Sequence, residues 1–260
     1  DGHIHTPYCP HGSTDKLEQY IEKAIQNRFN QISFTEHAPL PKSFIDPTPM
    51  KDSGMKWSLL DDYFKELLKV KKIYEKDINI LIGMEVDYID HYEEETTKFL
   101  NDYGPLMDDS ILSVHFLKAN GQYTCIDYSK EVYLQFAQSV GGIRQMYELY
   151  YETVRKSIYA NLGHYKPTRI GHPTLIHKFQ LAHNEKIHDD ELIKQTLIAI
   201  QQAGYTIDFN SAGLSKPFCL QTYPPMEYLP FINEINLPYI FGSDAHVVVD
   251  LHQHYDTVTK

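Results

Sequence analysis

Two kinds of apolar spacing alternate along the chain. In the first, apolar and β-branched residues run together between turn formers, as in Gln31-Ile32-Ser33-Phe34-Thr35-Glu36. Such runs read as strands, and they recur at 2–5, 31–36, 78–86, 110–116, 169–172, 205–210 and 238–242. In the second, Leu17, Tyr20, Ile21, Ala24 and Ile25 fall three and four apart, which is one stripe of a helix. Asp15, with Glu18 three residues on, predicts a capping box at its start. Leu192, Ile193, Thr196, Leu197 and Ile200 repeat the stripe before Gly204, where the chain can turn out of the helix.

Strands alternating with helices imply an α/β fold with a parallel sheet, and this many βα units in 260 residues predict one domain over 1–260, closed or nearly closed as a TIM-like barrel. An open doubly wound sheet is the alternative. It is disfavoured because no GxGxxG or GxxxxGK[ST] phosphate loop is present. Two insertions stand out, a Pro-rich loop over 38–57 and a Tyr-rich helical stretch over 131–159, and both are expected to cover the barrel mouth.

Composition narrows the function classes. A formal charge of −11 argues against nucleic acid as the main partner, since polyphosphates are met by clustered Lys and Arg. No apolar run reaches the roughly 18 residues that span a bilayer, no charged-then-apolar leader opens the chain, and Cys9, Cys125 and Cys219 form neither a CxxC pair nor a disulfide framework. These features predict a cytoplasmic protein with no membrane partner. The Asp1 start, directly before the first motif, and the end at Lys260 lead us to expect that a few terminal residues lie outside this chain.

The histidines, 14 in number, carry the chemistry, because imidazole is the commonest metal ligand. In Asp1-Gly2-His3-Ile4-His5 two imidazoles stand at i and i+2, on one side of an extended strand, where they can close on one ion. Ligand-type residues then recur at strand ends: Glu36-His37, Glu85 with Asp87, His115, Gly171-His172-Pro173 and Gly242-Ser243-Asp244-Ala245-His246, with His11 in the loop after the first strand. Buried charges normally pair or bind metal, so this repetition points to a metal site at the carboxyl ends of barrel strands.

The segments Asp1-Gly2-His3-Ile4-His5-Thr6-Pro7-Tyr8-Cys9-Pro10-His11-Gly12, Phe34-Thr35-Glu36-His37-Ala38-Pro39-Leu40-Pro41, Gly83-Met84-Glu85-Val86-Asp87, Ser113-Val114-His115-Phe116 and Gly242-Ser243-Asp244-Ala245-His246 resemble the PHP family of metal-dependent phosphoesterases. The likeness is closer to its histidinol-phosphate phosphatase branch and runs over essentially the whole length. It implies a distorted (β/α)7 barrel holding three divalent ions, as Zn, Fe or Mn. Carried over residue by residue, His3, His5, Glu85 and Asp244 hold one ion; Glu85 bridges to a second with His115 and His172; His11, His37 and His246 hold the third. The resemblance assigns Cys9 no bond, which leaves it a packed thiol. It also implies hydrolysis of L-histidinol phosphate, in histidine biosynthesis, by a hydroxide bridging two ions. Glu85, Asp244 and His246 are then catalytic, with metal-bound water, Asp244 or His246 protonating the leaving alkoxide.

Substrate contacts are less determined. Arg144 is the first candidate for a phosphate fork, with Lys216 and Arg169 behind it, and Asn210 either touches substrate or caps the next turn. Glu36 and Asp87 are expected to orient imidazoles rather than bind metal. Trp57 and the tyrosines in 147–151 serve packing or recognition. His91, His164, His177, His183, His188, His252 and His254 lie outside the motifs. A PHP relative acting on phosphotyrosyl protein, a metal-dependent amidohydrolase and a non-catalytic metal scaffold are the competing readings.

Overall fold

The structure, a computed structural model, describes residues 1–259. Six strands form one parallel sheet in the order β1 (Gln31–His37), β2 (Asn79–Asp87), β3 (Asp109–Ser113), β6 (Arg169–Ile170), β7 (Thr206–Asn210) and β8 (Tyr239–Gly242). A separate antiparallel hairpin, β4 (Phe116–Ala119) with β5 (Gln122–Cys125), follows β3. Residues 2–5 join the two edges of the sheet. Ile4 bridges Phe34 of β1 on one side and Ala245 just past β8 on the other. The Thr35 amide donates to Ile4 O at 2.8 Å, the His5 amide to Ala245 O at 3.0 Å and the Gly2 amide to Phe241 O at 2.8 Å. The sheet therefore closes into a distorted α/β barrel with the opening segment as its last stave.

Helices α1 (Leu17–Gln26), α2 (Leu60–Ile73), α3 (Glu93–Tyr103), α4 (Lys130–Ser139), α5 (Ile143–Tyr159), α6 (Asp190–Gln202), α7 (Leu229–Glu234) and α8 (Tyr255–Val258) accompany the strands. Their apolar stripes, such as Leu17, Tyr20, Ile21 and Ala24 on α1, are buried. They join Ile4, Phe34, Met84, Leu112, Ile170 and Ile207 of the staves in one core. Each such large side chain contributes roughly 1.5–3 kcal/mol by leaving water. No described helix is long and apolar enough to cross a membrane.

Several expected boundaries differ, each for a local reason. The run 110–116 ends as sheet at Ser113, because the chain leaves the barrel at His115 and turns into the β4–β5 hairpin. Asn120 and Gly121 form that hairpin's tip with φ of 51° and 77°, the positive pair a tight two-residue turn requires. The run 169–172 stops at Ile170, because His172 takes a φ of 22°. The capping box of α1 uses Lys16 and Gln19: the Gln19 side chain accepts the Lys16 amide at 2.8 Å. Asp15 instead accepts the amide of Val248 at 2.8 Å. Gly204 does end α6, with φ of 72°.

The two insertions part company. Residues 38–57 form a loop wound around the Asp46 carboxylate, which takes Thr48 N and Oγ1, both at 2.8 Å, and Ser53 N at 3.0 Å. Through Asp52 and Ser53 this loop reaches the mouth. The stretch 131–159 does not cover the mouth. It is α4 and α5, broken at Gly141-Gly142 with φ of 103° and 134°, and its Ile143, Met146, Tyr147, Tyr150, Tyr151, Val154 and Ile158 are buried. That apolar face belongs to the outer helical layer, and none of these residues lines the central cavity.

Candidate metal centre

All nine proposed donors come from the carboxyl ends of the staves and the loops after them. His3 and His5 lie either side of the Ile4 bridge, His37 ends β1, Glu85 sits near the end of β2, His115 follows β3, His172 follows β6, and Asp244 and His246 follow β8. They meet although His3 and Asp244 are separated by almost the whole chain. Donor atoms of His3, His5 and Asp244 lie within 4.8 Å of one another, and so do those of Glu85, His115 and His172. A third group joins His5, Cys9, His37 and His246 by the same measure, and the His11 ring lies 5.0 Å from that of His37 and 5.1 Å from that of His246.

Glu85 is the hub. Its Oε1 is 2.9 Å from His172 Nε2 and 3.6 Å from His115 Nε2, while its Oε2 lies 3.0 Å from His37 Nδ1, 3.4 Å from His3 Nε2 and 3.6 Å from His5 Nε2. Ser113 Oγ donates to Oε1 at 2.6 Å. Burial pulls the Glu85 acid upward, but the surrounding imidazoles outweigh it and hold the carboxyl well below its ordinary range. Asp244 is held low in the same way, by His3 first, then His5 and His246.

Around this ring a second set of acceptors fixes the imidazoles. His3 Nδ1 meets Asp208 Oδ2 at 2.7 Å, His5 Nδ1 meets Glu36 Oε1 at 3.0 Å and His115 Nδ1 meets Asp87 Oδ1 at 2.8 Å. His11 Nδ1 is 2.9 Å from Asp52 O, and His246 Nδ1 is 3.0 Å from Asp244 O. Each such acceptor takes the Nδ1 proton and turns Nε2 inward, where it can offer a lone pair to a cation once deprotonated, the arrangement that orients metal-binding histidines. Glu36 is itself fixed by Thr6 N at 2.7 Å and His37 N at 2.9 Å, so its oxygens are spent on orientation, as Asp87's contact also is.

Several buried atoms of these donors lack partners. Among the described residues His3 Nε2, His37 Nδ1, Glu85 Oε2 and His172 Nδ1 are buried without a hydrogen bond; His37 Nδ1 and Glu85 Oε2 are close but misaligned. Burying such groups unpaired is costly, and one or more divalent cations with a taste for N and O donors would satisfy them. Backbone strain marks the same place: His172 and Asp244 take φ of 22° and 51°, a region that costs non-glycine residues of order 1–3 kcal/mol. Gly242 is needed beside them, since a Cβ there would stand 2.0 Å from Asp208 Oδ1 and 2.8 Å from His3 Cβ.

The donors open on a cavity of about 530 Å³. Lys216 lines it, as do Asp52, Ser53, Asp127, Tyr128, Lys178 and Tyr223. Arg144 does not: its side chain is 76% exposed and pairs with Glu148 at 3.1 Å along α5. Arg169 lies elsewhere too, bonded to Gly2 O at 2.8 Å and to Asp109 at 2.7 Å. Asn210 is buried and takes the capping role, accepting Ala212 N at 2.9 Å while its Nδ2 reaches Asp208 at 2.9 Å. Trp57 donates to Leu40 O at 2.9 Å and packs on Phe99. His252 stacks on Phe29 at 3.5 Å, and His254 faces Ser215.

Sequence reasoning missed Asp208, Lys178 and Asp127. Asp208 had a signal, since Asp208 and Asn210 share one face of β7 by the period of two. Replacing Asp208 with alanine is expected to cost about 10- to 100-fold in metal affinity with the fold intact, measured by competition against a chromogenic chelator; unchanged affinity would remove its orienting role.

The sequence profile described as the PHP domain matches residues 1–212. The chain belongs to the PHP domain family. The match stops short of Asp244 and His246, which the longer comparisons cover. The chain is 45% identical over 258 residues to the histidinol-phosphatase of Bacillus subtilis, spanning 98% of this chain and 96% of that one. A candidate histidinol phosphatase from Listeria monocytogenes, of known structure, is 40% identical and superposes with a TM-score of 0.93 over 99% of this chain and 98% of its own. The histidinol phosphate phosphatase of Lactococcus lactis, solved with zinc, L-histidinol and phosphate, shares the PHP fold at a TM-score of 0.75 over 100% of this chain and 92% of its own, at 18% identity.

Proposed function

We propose that this chain is a metal-dependent phosphomonoesterase that hydrolyses L-histidinol phosphate to L-histidinol and phosphate, a step of histidine biosynthesis in the cytoplasm. The observation that carries the reading is the gathering of nine donors at one end of the barrel, seven of them lining one cavity with His3 and His5 buried behind, in a chain collinear with the Bacillus subtilis enzyme. The reading takes residues 1–260 as one domain, supported by a core that runs from Ile4 to Val258.

The donors fit three divalent ions, as zinc, iron or manganese. His3, His5, Glu85 and Asp244 would hold one, Glu85, His115 and His172 a second, and His11, His37 and His246 the third. His5 lies near two groups, but its Nδ1 is spent on Glu36 and its Nε2 lies 3.0 Å from Asp244 Oδ1, which favours the first. When bound, such ions would supply an acidified water and positive charge to offset the negative charge building on the phosphate oxygens.

The protein's own groups do the rest. Glu85, whose two oxygens face different histidines, would help hold both inner ions. Asp244 and His246, with side chains 17% and 28% exposed against 1% for Glu85, are open to the cavity and to a leaving oxygen in it. Asp244, held ionised by its imidazole neighbours, and His246, kept neutral by burial, would pass the proton the leaving alkoxide needs from solvent in the cavity rather than store it themselves. Lys216, on the cavity wall, adds positive charge toward the phosphoryl group.

The test is a comparison of substrates on protein loaded with Zn, Fe or Mn. We expect kcat/KM for histidinol phosphate to exceed that for a phosphotyrosyl peptide by on the order of 10²-fold. Equal or faster turnover of the peptide would replace the substrate reading, and loss of both would leave a scaffold.

A further inference from the structure

Beside the donors, the cavity wall carries a cation that is built in rather than free on the rim. Lys178 sits on the short turn Leu175–Phe179, six residues after His172 on the same loop. Its side chain is 23% exposed, and Nζ lies 2.9 Å from Asp127 Oδ2. Asp127 follows β5, whose hairpin partner β4 begins directly after His115. Cys125 Sγ donates to the other oxygen, Oδ1, at 3.2 Å, so both carboxylate oxygens are engaged. The two loops that deliver His115 and His172 thus also deliver Asp127 and Lys178 to the same side of the cavity.

The turn under Lys178 is anchored from behind. His177 Nε2 meets Asp189 Oδ2 at 2.8 Å, and Tyr151 Oη donates to that same oxygen at 2.6 Å. An ammonium has three N–H donors, yet among the described residues the only hydrogen-bond partner of Lys178 is Asp127. A half-buried ion pair with donors left over is poorly compensated unless a further acceptor completes it. The cavity faces those donors, and its expected occupant brings an anionic oxygen.

Resting on the phosphomonoesterase reading, we propose that Lys178 is a phosphate-binding residue of the active site, its ammonium donating to a non-bridging phosphoryl oxygen on the His115–His172 side. Asp127 is its positioning residue. Lys178 acts on the ester before cleavage and on inorganic phosphate after it, so it governs product inhibition as well as binding.

The experiment measures inorganic phosphate binding to the metal-loaded enzyme by calorimetry, beside its inhibition of histidinol phosphate hydrolysis. We expect Lys178→Met to weaken phosphate about tenfold or more, as befits a lost charge-assisted hydrogen bond, at unchanged metal content. Lys178→Arg should restore most of it. Asp127→Asn, which frees the ammonium to wander, should raise KM more than it lowers kcat. Should Lys178→Met leave Asp127 uncompensated and spoil folding, the double variant Asp127→Asn with Lys178→Met removes both charges and must show the same loss. Phosphate binding as tight in either Met-bearing variant as in the unaltered enzyme would overturn the inference. An unaltered enzyme that binds no phosphate and cleaves no ester would instead sink the reading on which it rests.

Discussion

Replacing Glu85 with glutamine is expected to lower phosphate release by on the order of 10³-fold and to reduce bound metal by more than one ion per chain. The substitution keeps volume and leaves Ser113 an acceptor, so packing around it is preserved. What it removes is the charge at the point where five imidazoles converge, those of His3, His5, His37, His115 and His172. An amide coordinates divalent ions weakly, and its NH2 end would face lone pairs with a donor. Because each Glu85 oxygen faces a different set of histidines, the loss should reach both inner positions together. Elemental analysis of the purified variant beside a phosphate-release assay checks this; full metal content with an unchanged rate would strip Glu85 of its bridging role.

Chelation is the second large effect. A ligand that binds only the folded state stabilises it by about 4 kcal/mol at a thousandfold excess over its dissociation constant. Removing such ions should lower Tm by roughly 10 °C for a chain of this size, abolish activity, and be reversed by added zinc, iron or manganese. The sign of the pH dependence follows from the imidazoles. Burial lowers His5 and His115, but Asp244 and Glu36 around the first, and Asp87 and Glu85 around the second, outweigh it, raising them to about 9 and about 10 in the metal-free protein. At neutral pH these rings are protonated without metal, so an entering ion must displace their protons. Metal affinity should therefore rise with pH toward 9–10 and fall as pH drops, with protons released into unbuffered solution on loading. A chelator that removes metal as readily at pH 8.5 as at pH 6.5 would contradict this.

Much of the centre was legible because metal chemistry restricts residue types and a stave's end restricts place. His3 with His5, and Glu85 in its Gly-Met-Glu-Val-Asp setting, announce themselves at short range. The β4–β5 hairpin went unread although Asn120-Gly121 marks its turn, because the apolar run through Phe116 looks continuous until His115 is required to leave the sheet. Arg144 drew attention as the guanidinium in a long insertion, but helical spacing places it on the outer face of α5, opposite the stripe that packs inward. Lys178 and Asp127 are invisible as a pair: 51 residues separate them, and neither lies in a pattern with a period. Asp208 lies between these cases, its role set by a neighbour, His3, that no local window contains.

The Ile4 bridge has a consequence for the order in which the molecule is made. The segment bearing His3 and His5 leaves the ribosome early, yet it has only one of its two neighbours until the stretch that supplies Ala245, Asp244 and His246 has been synthesised. Until then the nascent polypeptide carries these imidazoles without the late Asp244 carboxylate that lies within 4.8 Å of their donor atoms. Any cation shared by His3, His5 and Asp244 would therefore wait for that late stretch, and a product terminated before it lacks the clasp that shuts the cylinder.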